Sequence, residues 1–330
     1  MRRLRIAIRI LLGLFVLAAA GYLYLAYAPT GDTDAHPFNQ DRNAVWLEHR
    51  WLEKEQPPGQ VEALMRSLDS HGIAYAFPHL IPFNGSGRLP IHSRDQMRSF
   101  LATSRRLAPR LKVLPWVGGL RVGYKRQRQG TVDLTDIGQR QRIVAECRGL
   151  MDEGFDGVHV NIEPVPDGDV EFLALLRSLR TAIGSGILSL SATRPGPFAL
   201  PIAPNFLWSP DYYGRVAAEA DQLVVMAYDT ALPTPSLYRR YLSYAASSMT
   251  RNLAESGRAR VLIGIPTYDG SGLMHRSDVE SPENALAGLV AGLRGVGGGG
   301  TFEGVALYAE WTTDEAEWAT YERLWRNNPR

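Results

Sequence analysis

Between Asp156 and Pro164 the chain alternates polar and apolar side chains. His159, Asn161 and Glu163 share one face of an extended segment, and Val158, Val160 and Ile162 share the other. A carboxylic acid at the end of such a row can protonate a leaving group. An amide beside it can accept a hydrogen bond from a substrate N–H and so orient it. Burying three polar groups without partners would cost about 2 kcal/mol or more each. The row is therefore a catalytic site or a satisfied polar network, and the place of Glu163 at the segment's C-terminal tip favours catalysis. Metal ligation by His159 and Glu163 is a weaker use, because one histidine with no second cluster is a poor ligand set.

A tip position matters only if the segment is a strand of a parallel barrel. Short apolar runs alternate with helical patterns along most of the chain, which is the signature of βα units. Strands are expected at 44–48, 74–79, 112–117, 157–163, 187–192, 222–228, 260–266 and 304–308. Helices are expected over 59–70, from about Ser93 with Asp95 in its first turn, and over 135–153, 169–183, 236–255, 283–294 and 314–326. The Gly297–Gly300 run reads as a loop. Alternation of this kind predicts a single-domain α/β fold, a (β/α)₈ TIM barrel, with an open doubly wound sheet as the alternative. In the barrel, catalytic groups sit at the C-terminal ends of strands and in the loops that follow.

Bulk properties agree. The chain has 330 residues, enough for a barrel of roughly 250 residues and an N-terminal appendage. A hydrophobic share of 45% supports a sizeable core, and a formal net charge of +2 argues against a nucleic-acid partner. Cys147 is the single cysteine, so the chain forms no internal disulfide and no cysteine metal site. Arg2, Arg3, Arg5 and Arg9 precede an uncharged apolar run of 19 residues from Ile10 to Ala28. That run approaches the roughly 20 residues of a membrane span. Ala26-Tyr27-Ala28 resembles a signal-peptidase site, but Pro29 would follow the cut, so an uncleaved anchor is the preferred reading. The arginines then stay in the cytoplasm and the rest of the chain lies outside it, in the periplasm or at the cell surface, or is secreted if the segment is cleaved. The division is 1–29 anchor, 30–43 polar linker and 44–330 barrel.

Asp156-x-x-His159-x-Asn161-x-Glu163 resembles the Asp-x-x-Asp-x-Asp-x-Glu signature of family 18 glycoside hydrolases, the chitinase-like barrels. Met226-Ala227-Tyr228-Asp229 matches that family's Met-x-Tyr-Asp after strand six. Gly264-Ile265-Pro266-Thr267-Tyr268 resembles its Gly-x-Pro-x-Tyr, and Gly118-Gly119 echoes its Ser-x-Gly-Gly. The resemblance covers most of residues 40 to 326, and the strand-four and strand-six motifs are its specific parts. It implies retaining hydrolysis assisted by the substrate, whose 2-acetamido oxygen attacks the anomeric carbon to form an oxazolinium ion. Glu163 would be general acid and base, Asn161 would orient the acetamide and the Tyr228 hydroxyl would steady its oxygen. His159, Asp229, Trp116, Tyr268, Tyr308, Glu310 and Trp311 would line the sugar site. No cofactor or metal is implied.

The departures from the pattern refine this. Asn161 and His159 stand where the family has aspartates, and Asn161 brings no charge to tune Glu163, so burial must do more. Endo-β-N-acetylglucosaminidases of family 85 use an Asn-x-Glu pair for oxazoline chemistry, so the amide is compatible with turnover. Trp116 replaces the serine before Gly-Gly, and Tyr308 replaces the strand-eight tryptophan, with Trp311 near enough to stack on a sugar. These changes point away from chitin itself and toward other N-acetylglucosamine glycans, of peptidoglycan or exopolysaccharide type. Only 12 residues separate Asp269 from Pro282, too few for the domain that deepens the groove of large chitinases. His79 is a hydrogen-bonded rim residue or a ligand contact, and the basic stretch from Arg121 to Arg128, on the active face, is expected to be a solvated loop rather than an attractor of an anionic glycan. Asp156, of opposite parity, belongs to the start of the strand. The expected protein is thus a membrane-tethered monomer acting on a glycan. The competing reading is a non-catalytic glycan-binding barrel, which the retained Glu163 argues against.

Overall fold

A computed structural model describes residues 2–32, 34–91, 93–122, 130–196, 207–254, 258–270, 272–297 and 300–327. The basic stretch from Arg121 to Arg128 lies mostly outside them, as do Glu255 and the middle of the Gly297–Gly300 run.

Among the described residues nine parallel strands form one sheet: β1 (Asn43–Leu47), β2 (Ile73–Pro78), β3 (Lys112–Val113), β4 (Trp116–Leu120), β5 (Gly157–Glu163), β6 (Ile187–Ala192), β7 (Gln222–Met226), β8 (Arg260–Pro266) and β9 (Phe302–Tyr308). The third expected strand is broken into β3 and β4 because Pro115 has no N–H to give the ladder. Both halves bond outward on each side. β3 pairs with β2 and receives Asp156 N–H at 3.1 Å on the Val113 carbonyl, while β4 pairs with β5 and receives the Leu80 and Phe83 N–H groups. Pairing of β1 with β9 completes the ring, giving the expected (β/α)₈ barrel.

The helices are α1 (Arg2–Tyr27), α2 (Arg50–Glu53), α3 (Gln60–Ser70), α4 (Arg94–Leu107), α5 (Ile137–Asp152), α6 (Val170–Ile183), α7 (Pro210–Glu219), α8 (Pro235–Ala254), α9 (Pro282–Arg294) and α10 (Glu315–Tyr321). A side-chain oxygen one residue ahead caps most barrel helices: Ser93, Asp136, Asp169, Ser209 and Ser281 each accept the N–H three residues on. Asp314 and Glu317 add a reciprocal capping box at α10. α7 fills the place after β6 for which the helical pattern predicts no range.

Strand alternation divides the core. Val158, Val160 and Ile162 of β5 join the apolar layer between sheet and helices, along with Val45, Leu188, Leu190, Ile263 and Val305. Full burial of such side chains contributes about 1.5–3 kcal/mol each. The barrel lumen holds a smaller cluster that includes Trp46, Phe77, Leu114, Val224 and Leu262. Cys147 is fully buried mid-helix in α5, its thiol pushed up to about 12 by burial. Asp156, at the start of β5, accepts the Val113 N–H at 2.9 Å and pairs with Arg105 and Lys112.

The stretch read as a linker is strapped to the barrel. Asp32 N–H donates to the Ala287 carbonyl at 2.9 Å, and Asp32 pairs with Arg294. His36 Nε2 lies 3.0 Å from the Leu324 carbonyl, and Phe38 is buried in the outer apolar layer. α9 meets backbone groups of this stretch, with Arg294 also donating to the Ala35 carbonyl at 2.8 Å, and the C-terminal turn meets the His36 side chain, which hydropathy alone does not reveal.

Candidate active site

A buried polar row and an aromatic cavity above it build the mouth of the barrel. The lower is the polar row that β5 turns inward. His159 is fully buried, its ring stacked on Phe77 at 4.0 Å between centroids. Its Nδ1 lies 2.8 Å from Ser189 Oγ, and its Nε2 lies 2.9 Å from Ser191 Oγ and accepts from Trp46 Nε1 at 3.2 Å. From Ser189 the bonds continue through Gln222 to Glu303, which also accepts from Tyr75 and Arg42. Burial with no charge partner pushes the His159 pKa down to about 3, so the ring is neutral. His159 therefore lies beneath the pocket and steadies its floor through Trp46. Of the expected sugar contacts, it is the one whose side chain the structure keeps fully buried, because parity along a strand gives the face but not the depth.

Above it opens a cavity of about 520 Å³. Glu163, Asn161, Tyr228, Asp229, Trp116 and Tyr308 all line it, joined by Trp46, Arg194, Ser191 and Met226. Four rings form a box: Tyr228 stacks on Tyr308 at 5.1 Å, and Trp46 meets Tyr308 edge-on at 5.4 Å and Tyr228 edge-on at 6.4 Å. Trp116 completes it, 6.4 Å from Tyr308. Flat aromatic walls with a few convergent polar groups suit a pyranose, whose ring carries apolar C–H faces and a polar rim.

Close backbone approach makes the box possible. A Cβ on Gly118 would sit 1.8 Å from the Asn161 carbonyl oxygen, so β4 packs against β5 only with glycine there. A Cβ on Gly264 would come within 3.0 Å of the Tyr228 ring.

Glu163 stands exposed on the cavity wall, with Asn161, Arg194 and Asp229 close around it. Desolvation raises its pKa above the ordinary carboxylate value. A hydrogen bond from Asn161 and the charge of Arg194 oppose that shift, and Asp229 reinforces it. The Asn161 Oδ1 atom is buried and unpaired within the described protein, leaving an acceptor beside the acid. Burial, then the nearby Tyr308 and Glu163, holds the Tyr228 phenol far above its ordinary pKa, so it remains a donor. Asp229 follows in a left-handed turn, φ 55°. Glu280 accepts its N–H at 2.7 Å, and the Tyr268 hydroxyl donates to its carboxylate. This arrangement can protonate a leaving oxygen, hold an amide N–H and place a phenol beside the same centre.

The remaining candidates lie around this pocket. Tyr268 stands behind Asp229, stacked on His275 at 4.1 Å. Glu310 accepts from Trp51 Nε1 at 3.1 Å, away from the cavity wall, and burial raises its pKa. Trp311 is 40% exposed and meets Tyr308 edge-on at 5.7 Å, a place on the rim. His79 packs against Trp116, ring centroids 4.0 Å apart and tilted by 30°, and lines a smaller adjoining hollow of about 210 Å³ with Asn161 and Glu163. Sequence reasoning passed over Trp46 and Arg194. Arg194 carries a signal, since it follows β6 by two residues at the C-terminal end of the strands, and its guanidinium donates to the Tyr228 and Asp229 carbonyls.

Asp229, His275 and Glu280 form the one grouping of potential metal ligands among the described residues. Glu280 already accepts the Asp229 and Thr230 N–H groups and the Thr230 hydroxyl, so its lone pairs serve the loop and leave little for an ion. His159, whose two ring nitrogens are both engaged by neighbours, is no part of that grouping.

Comparison with models of known families and with curated protein sequences finds no match. Solved structures do match. A chitinase from Chromobacterium violaceum is 16% identical with a TM-score of 0.56, over 86% of this chain and 98% of that one. The spore cortex-lytic enzyme SleL of Bacillus cereus is 10% identical with a TM-score of 0.59, over 87% and 75%. A family 18 chitinase from Crocus vernus is 14% identical with a TM-score of 0.52, over 86% and 97%. The chain thus has a chitinase-like barrel fold.

Proposed function

We propose that the protein is a retaining glycosidase of N-acetylglucosamine-containing glycans, tethered outside the cytoplasm by α1. Glu163 protonates the glycosidic oxygen while the substrate's 2-acetamido oxygen attacks the anomeric carbon, giving an oxazolinium ion. Asn161 accepts the acetamide N–H on its open Oδ1 and donates to Glu163, and Tyr228 donates to the acetamide oxygen. Water, deprotonated by Glu163, then opens the ring with net retention. Trp46, Trp116 and Tyr308 hold the sugar, with Trp311 at the rim.

The single observation that carries this reading is the convergence of Glu163, Asn161 and Tyr228 on one aromatic cavity. An apolar segment from Ile8 to Tyr27, 20 residues with mean hydropathy 2.0, supports the tether. Digestion of peptidoglycan and N-acetylglucosamine oligomers, followed by proton NMR of the first product, tests the chemistry. A β-configured reducing end and inhibition by a thiazoline analogue of the oxazoline are expected. An α-configured first product would overturn the mechanism.

A further inference from the structure

The anchor helix ends on the same side of the barrel as the pocket. From Ile8 to Leu25 every residue of α1 stands exposed except the half-buried Ala19, so the helix projects clear of the barrel. Among the residues whose side chains are described, the last turn is the part that docks. Ala26 is 1% exposed, its carbonyl accepts from Thr234 Oγ1 at 2.7 Å, and the Leu25 carbonyl accepts from Arg240 Nε at 3.2 Å. Thr234 closes the short loop that begins at Asp229 in the pocket wall. Five residues of chain reach at most about 18 Å, so that distance bounds the separation between pocket and anchor. No slack follows: Arg239 Nη1 donates to the Thr30 carbonyl at 3.0 Å, and Asp32 is tied to α9.

Two further features lie at the same level. Tyr22, Tyr24 and Tyr27 are exposed in the last two turns of α1, where an aromatic belt marks the membrane–water boundary. Leu273 is 97% exposed and Met274 48% exposed, at the tip of the loop between β8 and α9. That tip hangs from the anchor-bearing loop: the Met274 carbonyl accepts the Ala231 N–H at 2.8 Å, and Arg276 donates to the Pro233 carbonyl at 3.3 Å. An apolar pair held out in water gains nothing there, whereas the acyl boundary beside a membrane-spanning helix would take it.

We propose that Leu273 and Met274 dip into the outer face of the bilayer that holds α1, which seats the pocket beside the lipid surface. The glycan it cuts is then one presented at that surface, such as a polymer close to its membrane carrier. This rests on reading α1 as a retained anchor.

Full-length Leu273→Cys and Arg110→Cys chains, each labelled with an environment-sensitive fluorophore, distinguish the outcomes. Cys147 is buried and does not compete, and the Arg110 side chain is 80% exposed on the opposite end of the barrel. Both chains are reconstituted in phosphatidylcholine–phosphatidylglycerol vesicles carrying nitroxide-labelled acyl chains, then washed at alkaline pH. Retention in the vesicles with several-fold stronger quenching at 273 than at 110 is expected. Retention with equal quenching overturns the docking and leaves the anchor standing. Release by the wash overturns the anchor, and the docking with it.

Discussion

Replacing His159 with phenylalanine separates a supporting role from a catalytic one. The new ring keeps the stack on Phe77 but removes both ring nitrogens. Trp46 Nε1, on a side chain 1% exposed, then loses its partner. Ser189 keeps Gln222, and Ser191, which lines the cavity, can turn to water. One orphaned buried donor and one or two weakened hydroxyls should cost about 2–5 kcal/mol, or roughly 4–20 °C in the unfolding midpoint. The pH dependence adds a sign. Above pH 6.5 neither the folded nor the unfolded chain protonates this ring. Below it the unfolded chain takes up a proton that the folded chain refuses until about pH 3, so wild-type stability falls across that window. Phenylalanine abolishes that contribution, so the variant's deficit should be largest at pH 7 and shrink toward pH 4. Urea unfolding followed by fluorescence at both pH values measures it. A variant as stable as wild type at pH 7, or a deficit that grows on acidification, would refute the reasoning.

Other perturbations probe the cavity itself. Tyr228→Phe should lower kcat about 10²-fold with an unchanged melting temperature, since among the described residues nothing hydrogen-bonds its hydroxyl; a large loss of stability would contradict this. Arg194→Met removes a positive charge that holds the Glu163 pKa down, so the alkaline limb of the kcat/KM profile should move to higher pH. A limb that stays in place or moves lower would show that Arg194 does not act on the acid. Gly118→Ala forces a methyl into the Asn161 carbonyl, and circular dichroism should report a barrel that unfolds at markedly lower temperature or fails to fold. Native-like stability there would mean that β4 and β5 can part without penalty.

Much of this was legible in sequence because the signals are local. Short apolar runs between helical patterns place 157–163, 187–192 and 260–266 as strands, and β5, β6 and β8 span those bounds. Within 157–163, polar and apolar alternation aims His159, Asn161 and Glu163 inward. It does not reveal that His159 stops below the cavity, because depth depends on how far the neighbouring strands are staggered. The break at Pro115 divides the third strand, and it was visible in principle, since proline cannot donate to a ladder. Ser209-Pro210-Asp211 is a strong helix start, yet α7 went unread after a long stretch without periodicity. Trp46 lies on β1, far from Glu163 in sequence, and only barrel closure brings it to the acid, whereas Arg194 sits two residues past β6, the strand that pairs with β5, in a loop that carries no periodic signal. The strapped segment from Asp32 to Phe38 was hidden for a related reason: its partners in α9 and the C-terminal turn lie hundreds of residues away.

The acid at the tip of β5 is the centre of the account, and one comparison tests it most directly. Wild type and Glu163→Gln, assayed side by side on N-acetylglucosamine oligomers, should differ by about 10² or more in kcat, with the glutamine variant still binding substrate. Equal turnover by the two proteins would contradict the assignment of Glu163 and the oxazoline mechanism built on it.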